Sequence, residues 1–330
     1  MSLNTNNLNI KKLTFRVILM IFNLLIISLL LRLGAYLELF SKSKSTLDID
    51  RVIISNKVEL SKNEKNTDII FIGDSSCLMN INADKFTDIS AIESLNLGTL
   101  SYLDFESYGA LLTNAINTID SKETLICLII HPEFLRRAEP SESHIQFFKS
   151  CNKNEYTLNF SEGNYLNNVL SLNIFKDAFY GKTPIPLEGR FGKYYGFTSS
   201  LNDYLNTHRG SAIDPREFSP KSHHGNILYR ITDRKIEQLI KFKALLPSHC
   251  KLVLCLSPIP DILTDENYID AIATIKNKIK KKARIDYVLS MPVSLPSKYF
   301  STKTHLNSTA RLFYTEALSR EITDLNIFKK

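Results

Sequence analysis

Between Leu13 and Leu33 the chain reads LTFRVILMIFNLLIISLLLRL, and the stretch from Val17 to Leu31 contains only Asn23 and Ser28 as polar residues. A helix that is apolar all round has no face to give to water, so it belongs inside a large core or in lipid. A bilayer core takes about 20 helical residues, and with its flanking arginines snorkelling the segment 13–39 is long enough to cross one. Lys11, Lys12 and Arg16 come first with no acidic residue before them, although Arg32, Lys42 and Lys44 follow. The positive-inside tendency then makes residues 1–12 a cytoplasmic tail and puts the rest across the membrane. A cleaved signal peptide would need a small-x-small site, which the following GAYLELF lacks. The expectation is a single-pass protein of the cell membrane, with residues 40–66 as a polar stem and 67–330 as an extracytoplasmic domain.

A second span is not expected, because the 330 residues are 44% hydrophobic and 23% charged, as in a globular chain. The five cysteines are odd in number and none sits in a CxxC spacing, which argues against a disulfide framework. Cys127 and Cys255 lie in apolar runs and read as small buried hydrophobes. The net charge of +7 raises nucleic acid as a partner. Its densest stretch, KNKIKKKAR from Lys276 to Arg284, ends a predicted helix with no nucleic-acid module nearby, so it reads as a solvated face and no nucleic-acid partner is expected. No cofactor motif is visible. A metal site built on His131, His223 and His224 is not expected either, because neighbouring His223 and His224 diverge and no carboxylate stands at a ligand spacing.

The remainder alternates between short apolar runs and helical periodicity. Strands are predicted over Asp68–Ile72, Ser94–Leu97, Thr124–Ile130, Lys251–Leu256 and Ile285–Leu289. Helices are predicted to start at Asn82–Phe86 and to cover Leu103–Ile119, Tyr229–Leu246, Glu266–Lys282 and Ser308–Ile322. This order implies an α/β domain with right-handed crossovers and a mainly parallel sheet covered on both faces. An insert at about 132–225 interrupts it, rich in Phe and Tyr and containing GRFGKYYGF at Gly189–Phe197, which reads as a loop. Its aromatics either line a sugar-binding groove or form a small core of their own.

Open parallel sheets carry their sites at the carboxyl ends of the strands. Those ends hold Ser75, Gly98, His131 and Ser257, and the loop before the last helix holds His305. In FIGDSSCLMNI a serine follows a strand and a glycine turn directly, where turn amides can face an oxyanion. A serine nucleophile needs a base, and His305, between the last strand and the last helix, is the best placed of the seven histidines.

These residues resemble the SGNH/GDSL hydrolase superfamily, and within it the membrane-anchored cell-envelope members similar to the teichoic-acid D-alanylation protein and polysaccharide O-acetyltransferases. The likeness rests on GDSS at Gly73–Ser76, NLGTLSYLDFESYGALL at Asn96–Leu112 and HLN at His305–Asn307, and runs from about Asn66 to the C-terminus. It implies a three-layer α/β/α domain with a flavodoxin-like sheet, Ser75 as nucleophile, His305 as general base, and the Ser75 and Gly98 amides as oxyanion donors, with Asp74, Thr302 and Asn307 in support. Two departures stand out. The family's aspartate three residues before the histidine is here Thr302, so His305 would be oriented by a backbone carbonyl or by another acid such as Asp261 or Glu133. The family's asparagine after the third strand is here His131, which either donates from its ring or caps the strand. Asp74 is expected to bond the turn rather than supply the missing acid. The implied activity is O-acyl transfer, acetyl for example, onto a cell-envelope polysaccharide through an acyl-Ser75, with a membrane acyl-donor protein as a further partner. Alternatives are a carbohydrate esterase using the same residues, or a non-catalytic scaffold of a polysaccharide assembly complex.

Overall fold

The computed structural model describes residues 4–36, 47–63, 65–119, 123–136, 140–153, 185–219 and 231–327. The chain divides into two compact units, described separately. One contains helix α1, Asn4–Tyr36, whose window Lys12–Leu30 has a mean hydropathy of 2.4 and is almost wholly exposed. By length and composition it is able to cross a bilayer.

The other unit begins at Leu47. This corrects the stem expected over 40–66, because Ile49–Asn63 forms helix α2 and buries Val52, Ile53, Ile54 and Val58. Ile54, Val58 and Ser61 recur at helical spacing beside buried Val52 and Ile53, and each buried aliphatic side chain contributes roughly 1.5–3 kcal/mol that a solvated stem would forgo.

Five parallel strands follow: β1 Ile69–Gly73, β2 Ser94–Asn96, β3 Thr124–Ile130, β4 Cys250–Leu256 and β5 Tyr287–Val288. Their order in the sheet is β2-β1-β3-β4-β5, with every ladder parallel. This is the doubly wound order of flavodoxin-like folds. Every residue of β3 is buried, as befits a central strand covered on both sides. Alternate strand residues feed two cores. Ile70, Ile72, Ile126, Leu128, Leu252 and Leu254 pack on one face with α2, α5 (Phe105–Thr118), α10 (Asp233–Ala244) and α11 (Tyr268–Ala283). Ile69, Phe71, Leu125, Cys127, Val253 and Cys255 pack on the other with α3 (Ser75–Asn80), α4 (Ala83–Ser90) and α12 (Ser308–Asp324). The unit is therefore three-layered, α/β/α.

Between β3 and α10 the described part of the insert adds α6 (Pro132–Arg136), α7 (Glu142–Asn152), α8 (Gly189–Tyr195) and α9 (Thr198–Thr207). Helix α8 corrects the loop expected over Gly189–Phe197. Two of its glycines, Gly189 at φ 57° and Gly196 at φ 76°, bracket a helix instead of dissolving it. Tyr195 is buried, Phe191 and Tyr204 pack against the core, and Tyr194 and Phe197 remain exposed. These buried rings thus join the core on the α2 and α5 face of the sheet instead of forming one of their own. His223 and His224 lie outside the described residues.

Candidate active site

Strand β1 ends at Gly73, whose φ of 150° is open to glycine, and a Cβ there would sit 1.8 Å from the Ile129 carbonyl oxygen on the neighbouring β3. The chain turns at once into α3, which starts at Ser75, earlier than the sequence placed any helix. Asp74 caps it. Its Oδ1 accepts from the Ser76 amide at 2.9 Å, and its Oδ2 accepts from the His131 amide at 2.9 Å. One carboxylate thereby ties the serine turn to the end of β3, a capping role worth about 1 kcal/mol. Ser75 is left half-buried at the carboxyl edge of the sheet. Its own N–H has no acceptor among the described residues.

Across from it, the turn before α12 presents His305, only 6% exposed. Asn80 at the end of α3 holds this turn on both sides. Its Oδ1 accepts from the Leu306 amide at 2.7 Å, while its Nδ2 donates to the Thr304 carbonyl at 3.2 Å and to Ser257 Oγ at 2.8 Å. Thr302, at the family's aspartate position, accepts from the His305 amide at 3.1 Å through Oγ1, so it shapes the turn rather than the ring. Asn307 caps α12, accepting from the Ala310 amide at 2.9 Å.

The ring of His305 is bonded at both nitrogens. Nε2 lies 2.9 Å from Ser75 Oγ, and Nδ1 lies 2.6 Å from Asp214 Oδ2. The acid that sequence reading could not find is therefore Asp214, from the insert. Asp261 and Glu133, the acids considered from sequence, are engaged elsewhere: Asp261 accepts from the Ser297 amide at 2.9 Å, and Glu133 pairs with Lys303 at 3.3 Å.

Asp214 lies in a segment with no helix or strand of its own, and neighbours fix it from several elements. The Tyr195 hydroxyl donates to the Ile213 carbonyl at 2.8 Å and accepts from the Ile213 amide at 2.7 Å. Ser301 Oγ donates to the Asp214 carbonyl at 3.0 Å. The Ala212 amide donates to the Leu78 carbonyl at 3.1 Å. The fully buried ammonium of Lys57 donates to the Asn96 carbonyl at 2.9 Å and also to that of Gly210. Desolvation there pulls the Lys57 pKa down to about 7.

The Asp214 side chain is 0% exposed. Burial works to raise its pKa, but hydrogen bonds from His305 and Arg216 outweigh burial and hold it well below the ordinary carboxylate range. With that carboxylate ionised, Nδ1 of His305 must carry the proton it donates, and Nε2 is left to accept from the serine hydroxyl. A base oriented in this way can take the serine proton as the oxygen attacks a carbonyl.

Gly98 differs from expectation. Its N–H is donated to Asn96 Oδ1 at 2.8 Å, so the expected oxyanion amide already has an acceptor. Asn96 also donates from Nδ2 to the Cys77 carbonyl at 3.0 Å, a bridge between the end of β2 and α3. His131 presents a different donor. Its Nδ1 accepts from the Glu133 amide at 3.2 Å, and burial lowers its pKa to about 4. The ring is neutral at pH 7, so its proton sits on Nε2, a buried atom with no partner among the described residues. Of the residues expected at the site, Ser75, His305, Asp74 and His131 come together. Asn307 caps α12 and Ser257 supports Asn80 beside them.

Among the described residues no three His, Cys, Asp or Glu side chains cluster as metal ligands. Sequence reading missed Asp214, Asn80, Tyr195 and Lys57. The local sign of Asp214 is the proline after it, which keeps an acid in extended backbone inside an irregular stretch. Comparison with protein-family models, with curated proteins and with solved structures finds no match to this chain.

Proposed function

We propose that this chain is a membrane-anchored serine acyltransferase of the SGNH type, acting on a cell-envelope polysaccharide, with its N-terminus cytoplasmic and its α/β unit outside. The hydrogen-bonded line Ser75–His305–Asp214 carries this reading. His305 takes the Ser75 proton through Nε2 as Oγ attacks an acyl carbonyl, and Asp214 stabilises the imidazolium that forms. The Ser75 amide at the start of α3 and the His131 ring N–H, which has no acceptor among the described residues, are the donors offered to the developing oxyanion. Collapse of the tetrahedral intermediate expels the donor's leaving group, which takes the proton from His305, and leaves acyl-Ser75. A sugar hydroxyl then gives its proton to His305, attacks the acyl group and restores the serine. Water in place of the sugar gives the esterase.

The sheet order and the apolar α1 support the family and the anchor. Asp214 removes the reason for regarding the fold as a degenerate scaffold, which was the lack of an acid at Thr302. The test is labelling of the full chain in detergent with a fluorophosphonate probe, followed by transfer of a radiolabelled acetyl group to envelope polysaccharide or to water. Labelling is expected in the wild type and absent in Ser75→Ala. A folded wild type that stays unlabelled would overturn the proposal, and acetate release without polymer acetylation would reassign it as an esterase.

A further inference from the structure

We propose that Arg216 is a positioning residue, which holds the Asp214 carboxylate in the one rotation that serves His305 and shares its charge with the imidazole. This rests on the serine acyl-enzyme reading. Arg216 lies two residues beyond Asp214 and grips it along one edge. Its amide and its Nε donate to Oδ1 at 3.0 and 2.9 Å, and its Nη2 donates to Oδ2 at 2.6 Å. Oδ2 is the oxygen that also accepts from His305 Nδ1 at 2.6 Å. Turning the carboxylate about its own axis would break the fork, so the lone pair aimed at the imidazole is fixed by the guanidinium.

Two further observations mark this as more than a surface ion pair. The Asp214 side chain is 0% exposed while Arg216 remains 49% exposed, so the arginine reaches in from the rim to a carboxylate closed to bulk solvent. The guanidinium is itself oriented, lying 5.4 Å from the centre of the Phe191 ring on α8. A buried carboxylate facing only an imidazole would draw a proton onto that ring, whereas one facing both cations gives orientation with less pull. Its hydrogen bond to Asp214, the largest cause, raises the Arg216 pKa, and both hydrogen bonds lower that of Asp214 against the opposing effect of burial. Among the described residues His131 is the further titratable group interacting with this imidazole, and it in turn feels Asp74 and the Glu133–Lys303 pair.

The test uses the full chain in detergent and reads the rate of fluorophosphonate labelling against pH, with thermal melting alongside, for the wild type, Arg216→Gln and Arg216→Lys. Arg216→Gln is expected to slow labelling at pH 7 roughly 10- to 100-fold and to move the acid limb up by about one pH unit, since the unshared Asp214 charge then favours the imidazolium. Arg216→Lys, which keeps the charge and loses the fork, should leave the limb near its wild-type place while recovering part of the rate. A limb that stays put in Arg216→Gln, at whatever rate, would reduce the residue to a structural tie and overturn the proposal. So would loss of the fold in both variants. A wild type that does not label fails the parent reading instead, and a labelled wild type with unmoved variants fails this one alone.

Discussion

Ser75 and Asp214 flank one imidazole and are held there in opposite ways. The serine's position is a product of neighbours in sequence: a strand, a glycine that β3 admits, a capping aspartate and the first turn of a helix. Asp214 has no such local support. Its segment hangs on the hydroxyls of Tyr195 and Ser301, the ammonium of Lys57 and the Leu78 carbonyl, each from a different stretch of chain. A nucleophile can be built by secondary structure, whereas its acid here is built by tertiary contacts.

The sharpest break in this comparison is Asp214→Asn, which keeps the shape and removes the charge that sets the tautomer. Labelling should fall roughly 10⁴-fold, and a drop below tenfold would show that the backbone alone orients the base. Attacking the serine side through its scaffold should cost the fold rather than only the chemistry. In Gly73→Ala a Cβ would stand 1.8 Å from the Ile129 carbonyl oxygen, and backbone cannot step aside as a side chain can. The expected loss is at least about 3 kcal/mol by thermal or urea unfolding. The smallest effect should come from Tyr195→Phe, which removes the hydroxyl bonded at both ends to Ile213. About 1–2 kcal/mol of stability and roughly tenfold in labelling rate should go. An unchanged rate there would mean that the remaining ties suffice to hold Asp214.

The same contrast explains what could be read from sequence. Strands β1, β3 and β4 are legible because strands buried on both faces are short, mostly apolar runs, as in TLICLII, ended by Gly, Pro or Ser. Ser75 and His305 followed from where such runs stop. Helix α2 was missed because its apolar triplet, Val52 to Ile54, lies among charged residues, and α8 because glycine reads as a breaker when it stands at a helix end. Gly98 reads as a free amide in the sequence, although the side chain of Asn96, two residues earlier, accepts from its N–H. Asp214 carries no local pattern beyond the proline after it: it sits among loop residues 139 positions from the serine, and only the folded chain shows which of many acids meets the ring.

The buried ammonium of Lys57, bridging the Asn96 and Gly210 carbonyls, ties the end of β2 to the segment that carries Asp214. The nucleophile's turn can form as soon as β1 pairs with β3. The acid reaches the ring only after residues far apart along the chain have closed their contacts, and such closures come late. Reactivity toward a serine probe is therefore expected to fall ahead of helix or strand content as urea is raised, which labelling rate and circular dichroism read side by side would check.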